Sequence, residues 1–127
     1  MNKRAQQSQS LHDGMIKELA ERLISRKFRD VRADHPEFTD KPACITLENS
    51  ELGQLPDVTA TGIQMVLFEV ETADTIYHPH TEQQWEVFSS YAENNGADFW
   101  VVVPREQKSC ARERLSSLGL KAKVMVI

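Results

Sequence analysis

The sequence predicts an α/β sandwich in which helices cover one mixed β-sheet, and three observations lead there. Segments with apolar residues three and four apart alternate with β-rich segments, in the order helix, several strands, helix, strand, helix, strand. The run Phe99 to Val103 (FWVVV) has no polar face, as expected of a strand covered on both sides. The chain has 127 residues, 40% apolar and 27% charged, which suits one domain with one core. That composition excludes disordered, collagen-like and coiled-coil classes, and no window approaches the roughly 20 apolar residues of a membrane span. The opening MNKRAQQSQS has a basic start but no apolar stretch behind it, so neither a signal peptide nor an anchor is expected, and a cytoplasmic protein is. Cys44 and Cys110 form no CxxC pair and have no His at zinc-ligand spacing, which argues against a zinc site or a disulfide scaffold.

Residues 1–10 are polar and rich in Gln and Ser, so they read as a flexible tail before a single domain spanning 11–127. From Leu11 to Lys27 the residues Leu11, Met15, Ile16, Leu19, Leu23 and Ile24 make an apolar stripe among strong helix formers, and His12, Asp13 and Gly14 sit near the start of this helix. Phe28 to His35 reads as a short edge strand with charged sides, although Phe28 and Val31 are out of phase. A further strand is expected over Ala43 to Leu47, between Pro42 and Gly53. Pro56 to Thr61 then leads through Gly62 into Gln64 to Thr72, a hairpin whose second strand is apolar on both faces at its start and therefore central. Thr81 is placed to cap a helix from Glu82 to about Asn94, stopped by Asn95 and Gly96. After the strand at Phe99 to Val103, ended by Pro104, a basic helix from Arg105 to Leu118 stops at Gly119, and Lys121 to Ile127 forms the last strand.

Chemistry concentrates in the hairpin. Glu69 and Glu71 are two apart on one strand, so both carboxylates leave the same face about 7 Å apart. Asp57, twelve residues earlier, returns to the same end through the Gly62 turn. Like charges beside Phe68 and Val70 suffer desolvation and repulsion unless a proton or a cation intervenes. Three converging carboxylates would suit Mg²⁺ or Mn²⁺. The other reading is that a frayed strand or a sheet edge leaves the two glutamates in water, and spacing alone does not separate the two.

Pro56-Asp57, eleven intervening residues and then Glu69-Val70-Glu71 resembles the PD-(D/E)XK signature of restriction-endonuclease-like nucleases, with Glu71 at the usual Lys position. The family's core order of helix, three strands, helix, strand is similar to the order read here from Leu11 through Val103. The resemblance implies a restriction-endonuclease-like three-layer sandwich, its central mixed sheet flanked by helices. It also implies a Mg²⁺- (or Mn²⁺-) dependent DNA phosphodiesterase of endonuclease or resolvase type, with Asp57, Glu69 and Glu71 catalytic and Asp57 and Glu69 holding metal. Members such as archaeal Holliday-junction resolvases often add a Glu from the first helix; on a helical wheel Glu18 flanks the apolar stripe whereas Glu21 faces away, so Glu18 is the expected further ligand. Members with a Gln on the helix after the motif strand point to a catalytic role for Gln84, or its neighbour Gln83, beside the inward-turning Trp85 and Phe88. The departure is Glu71, which cannot supply the positive charge of a Lys. Some restriction enzymes of the superfamily carry Glu there, with a second metal taking over the electrostatic work. Two options stay open: a working hydrolase in which Glu71 accepts a proton, or a catalytically degenerate nuclease-fold protein serving as a nucleic-acid-binding or assembly module.

The formal charge of −4 hides a pattern. Residues 33–100 hold thirteen acidic side chains against one basic, Lys41, whereas residues 1–32 and 101–127 are each net +4. A cation in the middle and phosphates at the edges would match this, as would an ordinary solvated acidic surface. Lys108, Arg112, Lys121 and Lys123 are the candidate phosphate contacts. His78 and His80 read either as turn residues or as groups at the mouth of a site. Trp85 and Trp100 read as core or interface residues, and no Ser, His and Asp arrangement suggests a nucleophilic triad. Small nucleases of this kind commonly pair, so the resemblance also implies DNA and a second copy as partners, without a membrane.

Overall fold

A computed structural model describes residues 6–47 and 53–127 of the chain. Helix α1 (Gln6–Ser25) is followed by β1 (Arg29–Ala33), the short strands β2 (Ile45–Thr46) and β3 (Gly53–Gln54), then β4 (Val58–Thr61) and β5 (Met65–Val70). Helix α2 (Pro79–Asn95), β6 (Asp98–Val103), a 3-10 turn at Arg105–Gln107, α3 (Lys108–Leu118) and β7 (Lys123–Val126) complete the order. The result is an α/β fold with a mixed five-stranded sheet ordered β1-β4-β5-β6-β7 and flanked by helices. β1, β4 and β5 run antiparallel, while β5, β6 and β7 run parallel, and β2 pairs with β3 apart from the main sheet. Among the described residues no helix is long and apolar enough to cross a membrane.

The central strand shows why both faces need cover. Val66, Phe68 and Val70 point into a core with Ile16, Leu19 and Leu23 of α1, while Leu67 points into a second core with Trp85 and Phe88 of α2 and Leu115 of α3. Alternation of period two therefore sends β5 side chains to two separate apolar layers. Glu69 falls on the Leu67 face.

Several boundaries differ from those the sequence suggests. The first helix begins at Gln6, so 6–10 are not a tail; Ser8 Oγ donates to Asp74 Oδ1 at 2.8 Å and ties this turn to the loop after β5. Residues 1–5 lie outside the described part. The weak alternation at Phe28 and Val31 has a cause in β1, where the register with β4 shifts between Arg29 and Arg32 and Asp30 takes a positive φ of 50°. Helix α2 starts three residues ahead of Glu82, with Pro79 in its first turn and His78 as N-cap, its Nδ1 accepting the His80 N–H at 3.1 Å, so Thr81 is inside the helix and not its cap. Gly96 and Gly119 close α2 and α3 with φ of 65° and 67°. Gly62 serves differently: a Cβ there would stand 3.0 Å from the Phe28 ring, so a larger residue at the hairpin turn would press on that ring.

Candidate active site

The register of the hairpin builds the site. Val58 pairs with Phe68, which sets Asp57, just before β4, opposite Glu69 near the end of β5. The Asp57 N–H donates to Glu69 Oε1 at 3.0 Å and the Val70 N–H donates to Asp57 Oδ2 at 2.8 Å. Each carboxylate is thus gripped by the backbone of the other's strand. The same Asp57 Oδ2 lies 3.2 Å from His12 Nε2 on α1. Asp57 is 8% exposed and Glu69 3%, so the pair is not in water, and the alternative of a frayed edge is set aside.

Burial dominates the electrostatics. The Glu69 carboxyl is held well above its ordinary value of 4.5, first by desolvation, then by the Asp57 and Glu71 charges and a side-chain hydrogen bond to Asp57, against which the Asp57 N–H acts weakly. The raised value favours the protonated form of Glu69, hydrogen-bonded to Asp57. Among the described residues, neither Glu69 nor Asp57 has a Lys or Arg in ion-pair contact.

A cavity of about 360 Å³ opens beside this pair, its wall including His12, Asp34, Asp57, Glu69, His80 and Gln84. It lies at the carboxyl end of the parallel strands, where open α/β sheets commonly receive ligands. Gln84 is half-buried on this wall and Gln83 faces solvent, which separates the two glutamines. His80 reaches the cavity rim, whereas His78 is spent on the helix cap.

Other sequence candidates are placed elsewhere. Glu71 follows β5, and its side chain turns into the core: Thr75 Oγ1 donates to Oε1 at 2.7 Å and Trp85 Nε1 donates to Oε2 at 3.0 Å. It is 2% exposed and does not line the cavity, so the expected convergence of three carboxylates becomes two at the cavity and one behind them. Glu18 is exposed and pairs with Arg22 at 3.1 Å. The residue that α1 brings to Asp57 is His12; Glu18 lies six residues on, about 9 Å along the axis and on another face of the helix. A signal for His12 exists in the sequence, since His12, Met15, Ile16 and Leu19 form one stripe in which the histidine is the polar exception. Lys108 opens α3, Arg112 is exposed on it, and Lys121 and Lys123 stand around β7; Lys123 Nζ lies 5.3 Å from the Trp100 ring centroid. None of the four lines the Asp57 and Glu69 cavity.

Among the described residues, no three His, Cys, Asp or Glu side chains are placed to hold a metal ion together. The donor set is the adjoining Asp57 and Glu69 carboxylates, with Asp34 elsewhere on the same wall of an open cavity. That set fits Mg²⁺, which keeps several waters and is commonly bound through one or two carboxylates plus substrate phosphate, and does not fit an ion that needs an all-protein cage. No protein-family model matches the chain, and neither the curated proteins nor the solved structures contain a match to it.

Proposed function

We propose that the chain is a Mg²⁺- or Mn²⁺-dependent DNA phosphodiesterase, endonuclease- or resolvase-like, on a restriction-endonuclease-like three-layer scaffold. The observation that carries this reading is the buried Asp57 and Glu69 pair, set at one cavity by neighbouring strands with no Lys or Arg in contact among the described residues. Such a pair is stable as a proton-sharing couple or as a cation ligand. Support comes also from the element order, in which a helix and three antiparallel strands of the sheet precede a helix and a parallel strand, with the motif acids at the ends of the second and third of these strands. A divalent cation there would supply Lewis-acid stabilisation of a phosphodiester and a more acidic water. The chain's own groups have definable tasks. Asp57 and Glu69 are held in place by backbone N–H donors, and His12 fixes the Asp57 rotamer from α1. Gln84 offers an amide to a phosphate or a water at the wall. Glu71 is a positioning residue, because its bond to Trp85 locks α2, and Gln84 with it, to the strand end.

The test is incubation of the protein with linear, nicked and branched DNA plus Mg²⁺ or Mn²⁺, beside an Asp57→Ala variant. Cleavage that requires metal and disappears in the variant is the expected result; cleavage that survives Asp57→Ala refutes the site. A second reading, the catalytically degenerate nucleic-acid-binding or assembly module, is favoured by the seating of Glu71, which leaves no cationic Lys or Arg group at the pair among the described residues. Calorimetry separates the two. Asp57-dependent Mn²⁺ binding with cleavage supports the enzyme, and DNA binding without metal uptake or cleavage supports the module.

A further inference from the structure

The far end of the sheet carries a different feature. On the face that α1 covers, the helix packs chiefly on β1, β4 and β5, while Trp100 of β6 and Met125 of β7 stay partly exposed. A groove of about 770 Å³ runs between α1 and these strands, with Leu19, Leu23, Phe68, Trp100 and Met125 in its walls. The opposite face has two helices, α2 and α3, so one helical place is open on the α1 side. Its width agrees: two strands span about 10 Å, close to one helix diameter.

Charge defines what would lie there. Arg22 of α1 and Arg26, in the turn just after it, line one wall four residues apart, and Trp100, with Lys123 Nζ 5.3 Å from its ring centroid, lines the other. Arg26 has no ion-pair partner among the described residues, and Arg22 is shared with the exposed Glu18. Among the described residues Asp98 is the single acidic side chain in the groove lining. A second copy of this chain is a poor occupant, because among the described residues α1, α2 and α3 already turn their apolar faces to their own sheet.

We propose that this groove docks an amphipathic helix of another protein, apolar on one side and carrying acidic residues four apart along the edge that meets Arg22 and Arg26. The helix would lie parallel or antiparallel to α1 on β6 and β7, burying Trp100 and Met125, with its carboxylates matched to the i, i+4 spacing of the two arginines. The groove is at the Gly62 turn end of the hairpin, opposite the Asp57 and Glu69 end, so occupation is separable from metal-dependent cleavage.

Two synthetic helical peptides test this, one with leucines on one face and glutamates four apart along its edge, the other with lysines in place of the glutamates. Fluorescence anisotropy is expected to show the glutamate peptide binding about tenfold more tightly than the lysine peptide, with NMR methyl shifts at Leu19, Leu23 and Met125. In Arg22→Glu/Arg26→Glu the preference should reverse, and Met125→Asp should abolish binding of both peptides while circular dichroism stays native. Arg26→Glu alone, which leaves the Glu18 to Arg22 pair intact, should reduce the preference and guards against misfolding of the double variant. Equal affinity for the two peptides, no binding of either, or no reversal would overturn the proposal. So would sedimentation showing a dimer of the protein alone that Met125→Asp dissolves, since the face would then belong to a second copy.

Discussion

The substitution Glu69→Gln removes one charge from the carboxylate pair and keeps its shape. The carbonyl of the substituted side chain would still accept the Asp57 N–H, and its amide would donate to the Asp57 carboxylate as the protonated Glu69 does. In the wild type the folded Glu69 holds its proton well above the ordinary value of 4.5, so above that pH folding takes up a proton. Stability must then fall as pH rises, by up to about 1.4 kcal/mol per unit, until the folded carboxyl itself ionises, beyond which the loss is complete and constant. The variant has no such group. Its stability relative to wild type is expected to be near zero below pH 4.5 and to grow in the variant's favour as pH rises. The further the folded carboxyl is lifted, the higher the pH at which this gap stops widening, so the plateau of the difference curve reads the lift directly. Melts followed by circular dichroism from about pH 4 to 8 in EDTA measure the difference, in which the titrations common to both proteins cancel. Adding Mn²⁺ should narrow the gap, because the wild type gains about 2.7 kcal/mol at a hundredfold excess over Kd and the variant has lost a ligand. A gap that does not change with pH, or a variant less stable than wild type in EDTA throughout, would refute the reasoning.

Trp85→Phe removes the indole donor to the buried Glu71 Oε2, which should cost about 1–3 kcal/mol by urea denaturation. The glycines give opposite signs: Gly14→Ala, in the interior of α1 where a Cβ meets nothing within 4 Å, should stabilise by about 0.5–1 kcal/mol, and Gly119→Ala, at a φ of 67°, should destabilise by about 1–2 kcal/mol, both read in thermal melts. If Lys108, Arg112, Lys121 and Lys123 meet phosphates, changing all four to Ala should weaken DNA binding without altering sequence preference and reduce the salt slope by about one for each phosphate no longer neutralised.

How much of this is legible in the sequence depends on what kind of pattern each residue belongs to. The elements α1, β5 and β6 can be read because a period of 3.6 or 2, or an unbroken β-branched and aromatic run as in β6, is a local property of the chain. So can the Asp57 and Glu69 pairing, because a short hairpin fixes register within a few residues. The turn of Glu71 into the core is not readable, since it depends on Trp85 and Thr75, which reach it only after α2 has packed on the sheet. A helical wheel prefers Glu18 to Glu21 because it scores faces; which turn of the helix reaches Asp57, and hence His12 in place of Glu18, is set by how α1 lies across β4 and β5, which no local pattern contains. The start of α2 moves because proline in a first turn and a histidine cap act as start signals together, whereas a threonine cap at 81 competes with them and loses.

The place of Glu71 changes the electrostatic logic of the site. A lysine beside Asp57 and Glu69 would favour their ionised forms and partly satisfy them, so that less is gained by bringing in a cation. Glu71 does the opposite: its charge adds to that of Asp57 in lifting the Glu69 carboxyl, while its own oxygens are satisfied by Trp85 and Thr75 and compete for nothing in the cavity. A carboxylate held in this way favours a neutral Glu69 and would equally favour a divalent cation in place of its proton. Under the proposed function, an acidic residue where the resembled motif has Lys is therefore compatible with a metal-dependent site, because the cation would bring the charge that a Lys would otherwise supply. The acidic middle of the sequence, net −12 over residues 33–100, is the larger expression of the same imbalance, and under the proposed function the two basic flanks would supply the counter-charge for a polyanion that the middle would otherwise repel.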